Sequence, residues 1–127
     1  MYRFEKLDVW QRSMDLSVAI YEKTRLFPRE EIYGLVSQAR RAATSIPLNI
    51  AEGSACRSKR EFIQFLTIAL RSQYELITVI KLASRLKYLD EREVAFLEER
   101  SAEAGRLLQA PINSLDKSNN QKLKTNN

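Results

Sequence analysis

Five polar residues, Gln38, Arg41, Ser45, Asn49 and Glu52, are spaced by three and four along one stretch of the chain. On a helix that spacing puts them on one face. Such a line of guanidinium, carboxylate, amide and hydroxyl groups can do one of two things. As a buried or interfacial structural polar network it needs every group partnered, with Arg41 paired to Glu52 or to Glu75. Such a network would fix helix register and the geometry of an assembly. As the wall of a groove or ring channel, the same line would contact a ligand or an RNA phosphate. Its spacing and composition favour the network.

A second group is basic. Arg57, Lys59 and Arg60 fall at a corner between two helical segments, and Arg40, Arg41 and Arg71 can add to it. Ser58 begins the later segment, so free N–H groups and a favourable dipole face the same corner. Together these make the candidate nucleic-acid site, read against a merely solvated charged corner. Base stacking would also need exposed aromatics. Tyr2, Phe4 and Tyr33 are the candidates, and their placement at helical spacing favours core or interface packing instead.

Catalysis finds little support. The chain has no His, which removes the commonest general base and metal ligand. Its single Cys56 can form neither an intramolecular disulfide nor a thiolate cluster, which fits a reducing compartment. Glu98, Glu99 and Glu103 suggest a two-metal carboxylate site, but bundles that hold one use Glu-x-x-His. The expectation is a protein that is not an enzyme, with no cofactor and no metal. Net charge is +5, and +3 without residues 116–127. Nucleic acid is therefore a permitted partner, not a compelled one.

These residues must be positioned by helices. Only three Gly and three Pro occur in 127 residues, so long elements are favoured over short strands. The first helix is expected from about Asp8 to Leu26, with Asp8 and Gln11 at capping-box spacing. The second is expected as one long helix from Pro28 or Arg29 to Gly53. Its stripe is Ile32, Leu35, Ala39, Ala42, Ile46 and Ile50, and Gly53 is its stop. Pro47 lies deep inside it and leaves a carbonyl unpaired, which Ser45 or Asn49 could satisfy. The third spans Ser58 to about Lys87 behind the capping box of Ser58 and Glu61. It carries three apolar stripes where one is enough, and the surplus (Phe65, Ile68, Leu82 and Leu86 among others) predicts a subunit interface. The fourth spans Asp90 to about Leu115, opened by Asp90 and Glu93 and weakened near its end by Pro111.

The fold class expected is all-α. Residues 1–115 form an antiparallel up-down four-helix bundle with a proline-containing second helix, and residues 116–127 form a disordered, polar and basic tail. No apolar run reaches the length needed to span a bilayer and the start lacks a secretory leader, so a cytoplasmic location is expected.

The segment Phe27-Pro28, Glu31, Tyr33-Gly34-Leu35, Gln38, Arg40-Arg41-Ala42, Ser45-Ile46-Pro47, Asn49-Ile50-Ala51-Glu52-Gly53 resembles the signature of a bacterial family. This is the four-helix-bundle family of 23S rRNA intervening-sequence proteins. The likeness extends upstream through Phe4, Leu7, Val9-Trp10 and Tyr21. Downstream it takes in Ser58, Glu61-Phe62, Phe65-Leu66, Ala69, Ser72, Glu75-Leu76 and Tyr88-Leu89. One departure is Arg71-Ser72, where the family usually has Gly-Ser. The resemblance implies a non-enzymatic protein that assembles into a ring-like homopentamer. It also implies similarity in fold to accessory proteins of diversity-generating retroelements, which work beside a reverse transcriptase and bind nucleic acid. The partners so implied are a second copy of the chain, RNA or DNA, and a protein such as a reverse transcriptase.

Overall fold

The computed structural model describes the backbone of residues 1–125 and the side chains of residues 1–114. Four helices make up the bundle: α1 (Asp8–Thr24), α2 (Ser37–Ser54), α3 (Lys59–Arg85) and α4 (Glu91–Thr125). Each packs on its neighbour in sequence, and α1 closes against α4. The core is aliphatic. Leu16 and Ile20 of α1, Ile46 and Ile50 of α2, Leu76 and Ile80 of α3, and Leu97 and Leu108 of α4 are all essentially inaccessible. On α2 these residues belong to the expected stripe, although Ile32 at its start is exposed. On α1 the expected Trp10, Met14 and Tyr21 give way to Leu16 and Ile20, and Met14 and Tyr21 are exposed. The buried faces hold the four helices together.

Of the three capping boxes expected, one closes in full and one by half. The Glu61 N–H donates to Ser58 Oγ at 3.1 Å. At α4 the exchange is reciprocal: the Glu93 N–H donates to Asp90 Oδ1 at 2.8 Å, and the Asp90 N–H to Glu93 Oε1 at 3.0 Å. The first box does not form. Leu7 is the N-cap of α1, with no side-chain cap, and Asp8 instead takes the Arg12 guanidinium at 2.8 Å. Gln11 reaches back to the carbonyl of Glu5, at the end of a short 3-10 turn, Arg3–Lys6, that precedes α1.

The second helix is shorter than its periodicity suggests. A 3-10 turn (Arg29–Glu31) and a wide π turn (Ile32–Val36) lead into α2, and Gly34 leaves helical geometry at φ −107°, ψ −113°. Glu31 causes the interruption. Its carboxylate accepts the Leu35 N–H at 3.5 Å and the Tyr88 hydroxyl at 3.0 Å, so the lead-in is tied to the α3–α4 corner. That carboxylate raises the Tyr88 phenol above its ordinary range, chiefly by accepting its proton in a hydrogen bond. Phe27 packs on the same Tyr88 ring, 5.3 Å between centroids.

Gly53 is not the stop it resembles. It lies inside α2, is buried, and no glycine of the chain has a positive φ. The stop after α3 is a Schellman motif without glycine. Lys87 takes φ 63°, its N–H donates to Ser84 O, and the Tyr88 N–H donates to Ala83 O. α4 continues through Pro111 and past Leu115, since nothing from Ile112 to Thr125 is a Gly or Pro that would stop it. Of the tail expected to be disordered, residues 116–125 are helical as the last turns of α4, and Asn126 and Asn127 lie outside the described residues.

Candidate functional site

The basic corner sits where α2 hands over to α3. Ala55 caps α2 and Ser58 caps α3, so four residues turn the chain through the end of the bundle. Arg57, Lys59 and Arg60 are all exposed there. Arg57 and Lys59 line a concavity of about 320 Å³ together with Arg3, Ser54, Cys56 and Phe62. Arg3 comes from the turn before α1, a cation the sequence reading missed because only the fold brings it near. None of these four cations forms an ion pair among the described residues. Cys56 sits beside them as a thiol pushed above its ordinary range, first by burial and then by the Glu61 carboxylate and the charge of Glu52. A thiol held protonated is a poor nucleophile.

Arg40 and Arg71 do not join this corner. Arg40 is turned onto α1. Its Nε donates to Thr24 Oγ1 at 3.1 Å and its guanidinium lies 4.5 Å from the centroid of the Tyr21 ring. That is a fastening between helices, worth about 1 kcal/mol at a partly exposed site. Arg71 is exposed on α3, twelve residues beyond Lys59, or about 18 Å along the axis. As an exposed cation it does not disturb the α2–α3 contact, in spite of the family's glycine at this position.

The polar stripe lines a groove. Gln38, Arg41, Ser45, Asn49 and Glu52 of α2 face Ser72 and Glu75 of α3 across a cleft of about 710 Å³, with Tyr33 and Leu48 on its rim. Only its middle is bonded. Asn49 Nδ2 donates to the Ser45 carbonyl at 2.8 Å and to Ser45 Oγ at 3.0 Å, and the Ser72 hydroxyl donates to Ser45 Oγ at 2.8 Å. Gln38, Arg41 and Glu52 are exposed. Arg41 pairs with neither Glu52 nor Glu75 within 4.0 Å. The carbonyl freed by Pro47 is that of Ala43, four residues back, and neither Ser45 nor Asn49 serves it. The Ser17 hydroxyl of α1 donates to it at 3.1 Å.

The other candidates disperse. Glu98 pairs with Lys81 and Glu103 with Arg12, and no cluster of metal-ligating side chains occurs among the described residues. Tyr2 stacks on Phe4, and Phe4 tilts against Trp10. Tyr33, 96% exposed at the groove, and Tyr2, 73% exposed, do not pack in the core of the chain. Two apolar surfaces remain uncovered. One is the outer side of α3, where Ile68, Leu82 and Leu86 are exposed while Ile63 and Val79 of the same surplus are buried. The other is a second groove of about 710 Å³ between α1 and α2, walled by Trp10, Met14, Val18, Tyr21, Pro47 and Leu48.

Fold and site define the class: a small all-helical bundle with a basic corner at one end and an open polar groove along its second and third helices. Within that class the chain belongs to the family of 23S rRNA-intervening sequence proteins, whose family model matches residues 5–110. This is the family that the SIPLNIAEG segment resembles. A crystal structure of a protein of unknown function from the S23 ribosomal protein family of Bacteroides thetaiotaomicron VPI-5482 has a similar fold. Its TM-score is 0.74 at 27% sequence identity, covering 82% of this chain and 97% of that one. No curated protein matches the chain. No helix among the described residues is long and apolar enough to cross a membrane.

Proposed function

We propose that this protein is a non-enzymatic homo-oligomer that binds RNA through the basic corner, with Arg57, Lys59, Arg60 and Arg3 meeting phosphates. The observation that carries the reading is that these exposed cations have no carboxylate partner among the described residues and surround the N-terminus of α3. Cations already paired would have to exchange one anion for another. Unpaired ones release counterions when phosphate arrives, and this gives affinity that falls steeply with salt. Arg40 and Arg71 lie away from the corner and act, if at all, as separate contacts.

Assembly multiplies the effect. The exposed Ile68, Leu82 and Leu86 and the α1–α2 groove are the surfaces through which copies would join. Five copies, the number the family resemblance implies, would carry about +15 on their residues 1–115, and attraction to a polyanion sums over copies.

Light scattering after size-exclusion chromatography, with and without a structured RNA, tests both halves. The expected result is a particle several times the 14.7 kDa chain mass that takes up RNA at low salt. The triple variant Arg57→Ala, Lys59→Ala, Arg60→Ala should keep its assembly, weaken RNA binding and reduce the salt slope by about three. Unchanged affinity in that variant would remove the corner from the function.

A second reading is supported by the α1–α2 groove. Its wall of Met14, Val18, Tyr21 and Leu48 suits a partner helix, so the protein would be a scaffold for a protein such as a reverse transcriptase. An assembly that ignores RNA at every salt concentration favours this reading over the first.

A further inference from the structure

We infer that the polar groove between α2 and α3 is a recognition site for an unpaired guanine base, held edge-on between Arg41 and Glu75. The inference rests on the RNA-binding reading and names what that binding would read.

The bond between Ser72 and Ser45 fixes the level of the two helices. α2 and α3 are antiparallel. Glu75, one turn after Ser72, therefore stands level with Arg41 and Ala42, one turn before Ser45. Both charged side chains are exposed in the groove, yet they are not within 4.0 Å of each other. A group that bridges them must offer acceptors to a guanidinium and donors to a carboxylate from one rigid plane.

A phosphate does not fit. Arg41 is the one cation that lines the groove, and Glu52 and Glu75 are both carboxylates, so the local balance opposes an anion. A neutral base does fit, and the bases differ. Guanine presents its imino N–H and amino N–H side by side, the pattern a carboxylate accepts with both oxygens. Its O6 and N7 form the adjoining acceptor pair, which arginine takes bidentately. Uracil has one imino donor, and adenine and cytosine place an acceptor next to their amino group. The cleft volume lies in the range of small-ligand sites. At one end Tyr33 offers an uncovered ring for the guanine or the base next to it. The two sites then divide the work, with phosphates at the corner and base identity in the groove.

The test is fluorescence anisotropy with the full chain and a labelled eight-residue oligouridine carrying one central guanine. It is repeated with inosine, which lacks the amino group, and with adenine at that position. Guanine is expected to bind about tenfold more tightly than either. Glu75→Gln should bring the three affinities together, with circular dichroism confirming the helical fold. Displacement by guanosine monophosphate would assign the site to the free nucleotide, and lack of displacement to the base within a strand. Equal affinity for guanine and inosine, or a preference that survives Glu75→Gln, overturns the inference and leaves the basic corner standing. Failure of every oligonucleotide to bind overturns both readings.

Discussion

Gly53→Ala is expected to lower the stability of the bundle by about 1–2 kcal/mol, although alanine is the better helix former. On propensity alone the change inside α2 would add about 0.5–1 kcal/mol. Packing opposes it. A Cβ at Gly53 would lie 2.7 Å from Phe65 Cβ, 2.8 Å from Phe62 Cδ1 and 3.3 Å from the Phe62 carbonyl oxygen. A side chain's far end can swing away, but a Cβ moves only with its backbone. Relief therefore requires α2 and α3 to separate near the end that carries the basic corner. Overpacking of this kind costs about 1–3 kcal/mol. Gly53→Val should cost more, since two further methyl groups enter the same space. Gly105→Ala is the contrast: the atoms nearest its Cβ would be those of the Gln73 amide, at 3.0–3.1 Å, the end of a side chain that can give way, at the cost of loosening its bond to the Ser101 carbonyl. Urea midpoints of the three variants decide the matter. A Gly53→Ala midpoint at or above that of the unaltered chain would show that the helices have room to adjust.

Gly53 also shows what could be read from the sequence and what could not. Its place after an apolar-periodic run is that of a helix stop, and one chain of letters cannot distinguish a glycine needed for its backbone angles from one needed for its missing Cβ. The second depends on Phe62 and Phe65 arriving from α3. The same boundary runs through the site. Spacing placed Gln38, Arg41, Ser45, Asn49 and Glu52 on one face, and they do share it, because helical period is local. Whether Arg41 meets Glu75 is a distance between helices, and no spacing within one helix fixes it. Arg40 and Arg41 are neighbours in sequence, yet one is fastened over Tyr21 of α1 and the other stands in the α2–α3 groove, as the 100° step of a helix requires. Caps read well for the same local reason when both partners lie within three residues, as at Ser58 and Asp90. Asp8 failed because its rival, Arg12, was just as local. The α2 lead-in was illegible because Glu31 is held by Tyr88, 57 residues away in sequence.

The proline of α2 offers the more discriminating experiment. Pro47 has no N–H, so the Ala43 carbonyl loses its helical partner inside a buried turn. The Ser17 hydroxyl supplies the replacement at 3.1 Å, and also lies 2.9 Å from the Ser13 carbonyl of its own helix. Ala43 is wholly inaccessible, so in the folded chain its carbonyl has no contact with solvent, although Ser17 and Pro47 border the open α1–α2 groove. Ser17→Ala should therefore cost about 1–3 kcal/mol, the penalty of a buried acceptor left unsatisfied. Pro47→Ala restores the N–H and with it the ordinary bond to Ala43. In that background Ser17 has only the Ser13 carbonyl to serve, which α1 already engages through its own backbone. The cost of Ser17→Ala should then fall to about 0.5 kcal/mol or less, giving a coupling of about 1–2 kcal/mol between residues on different helices. Denaturant unfolding of the two single variants and the double variant measures it. Additive effects would mean that the Ala43 carbonyl is not what Ser17 serves. A coupling of the expected size would explain why a helix lining both grooves tolerates a proline at its centre: the defect in α2 is repaired from α1, and the repair fixes how those two helices dock.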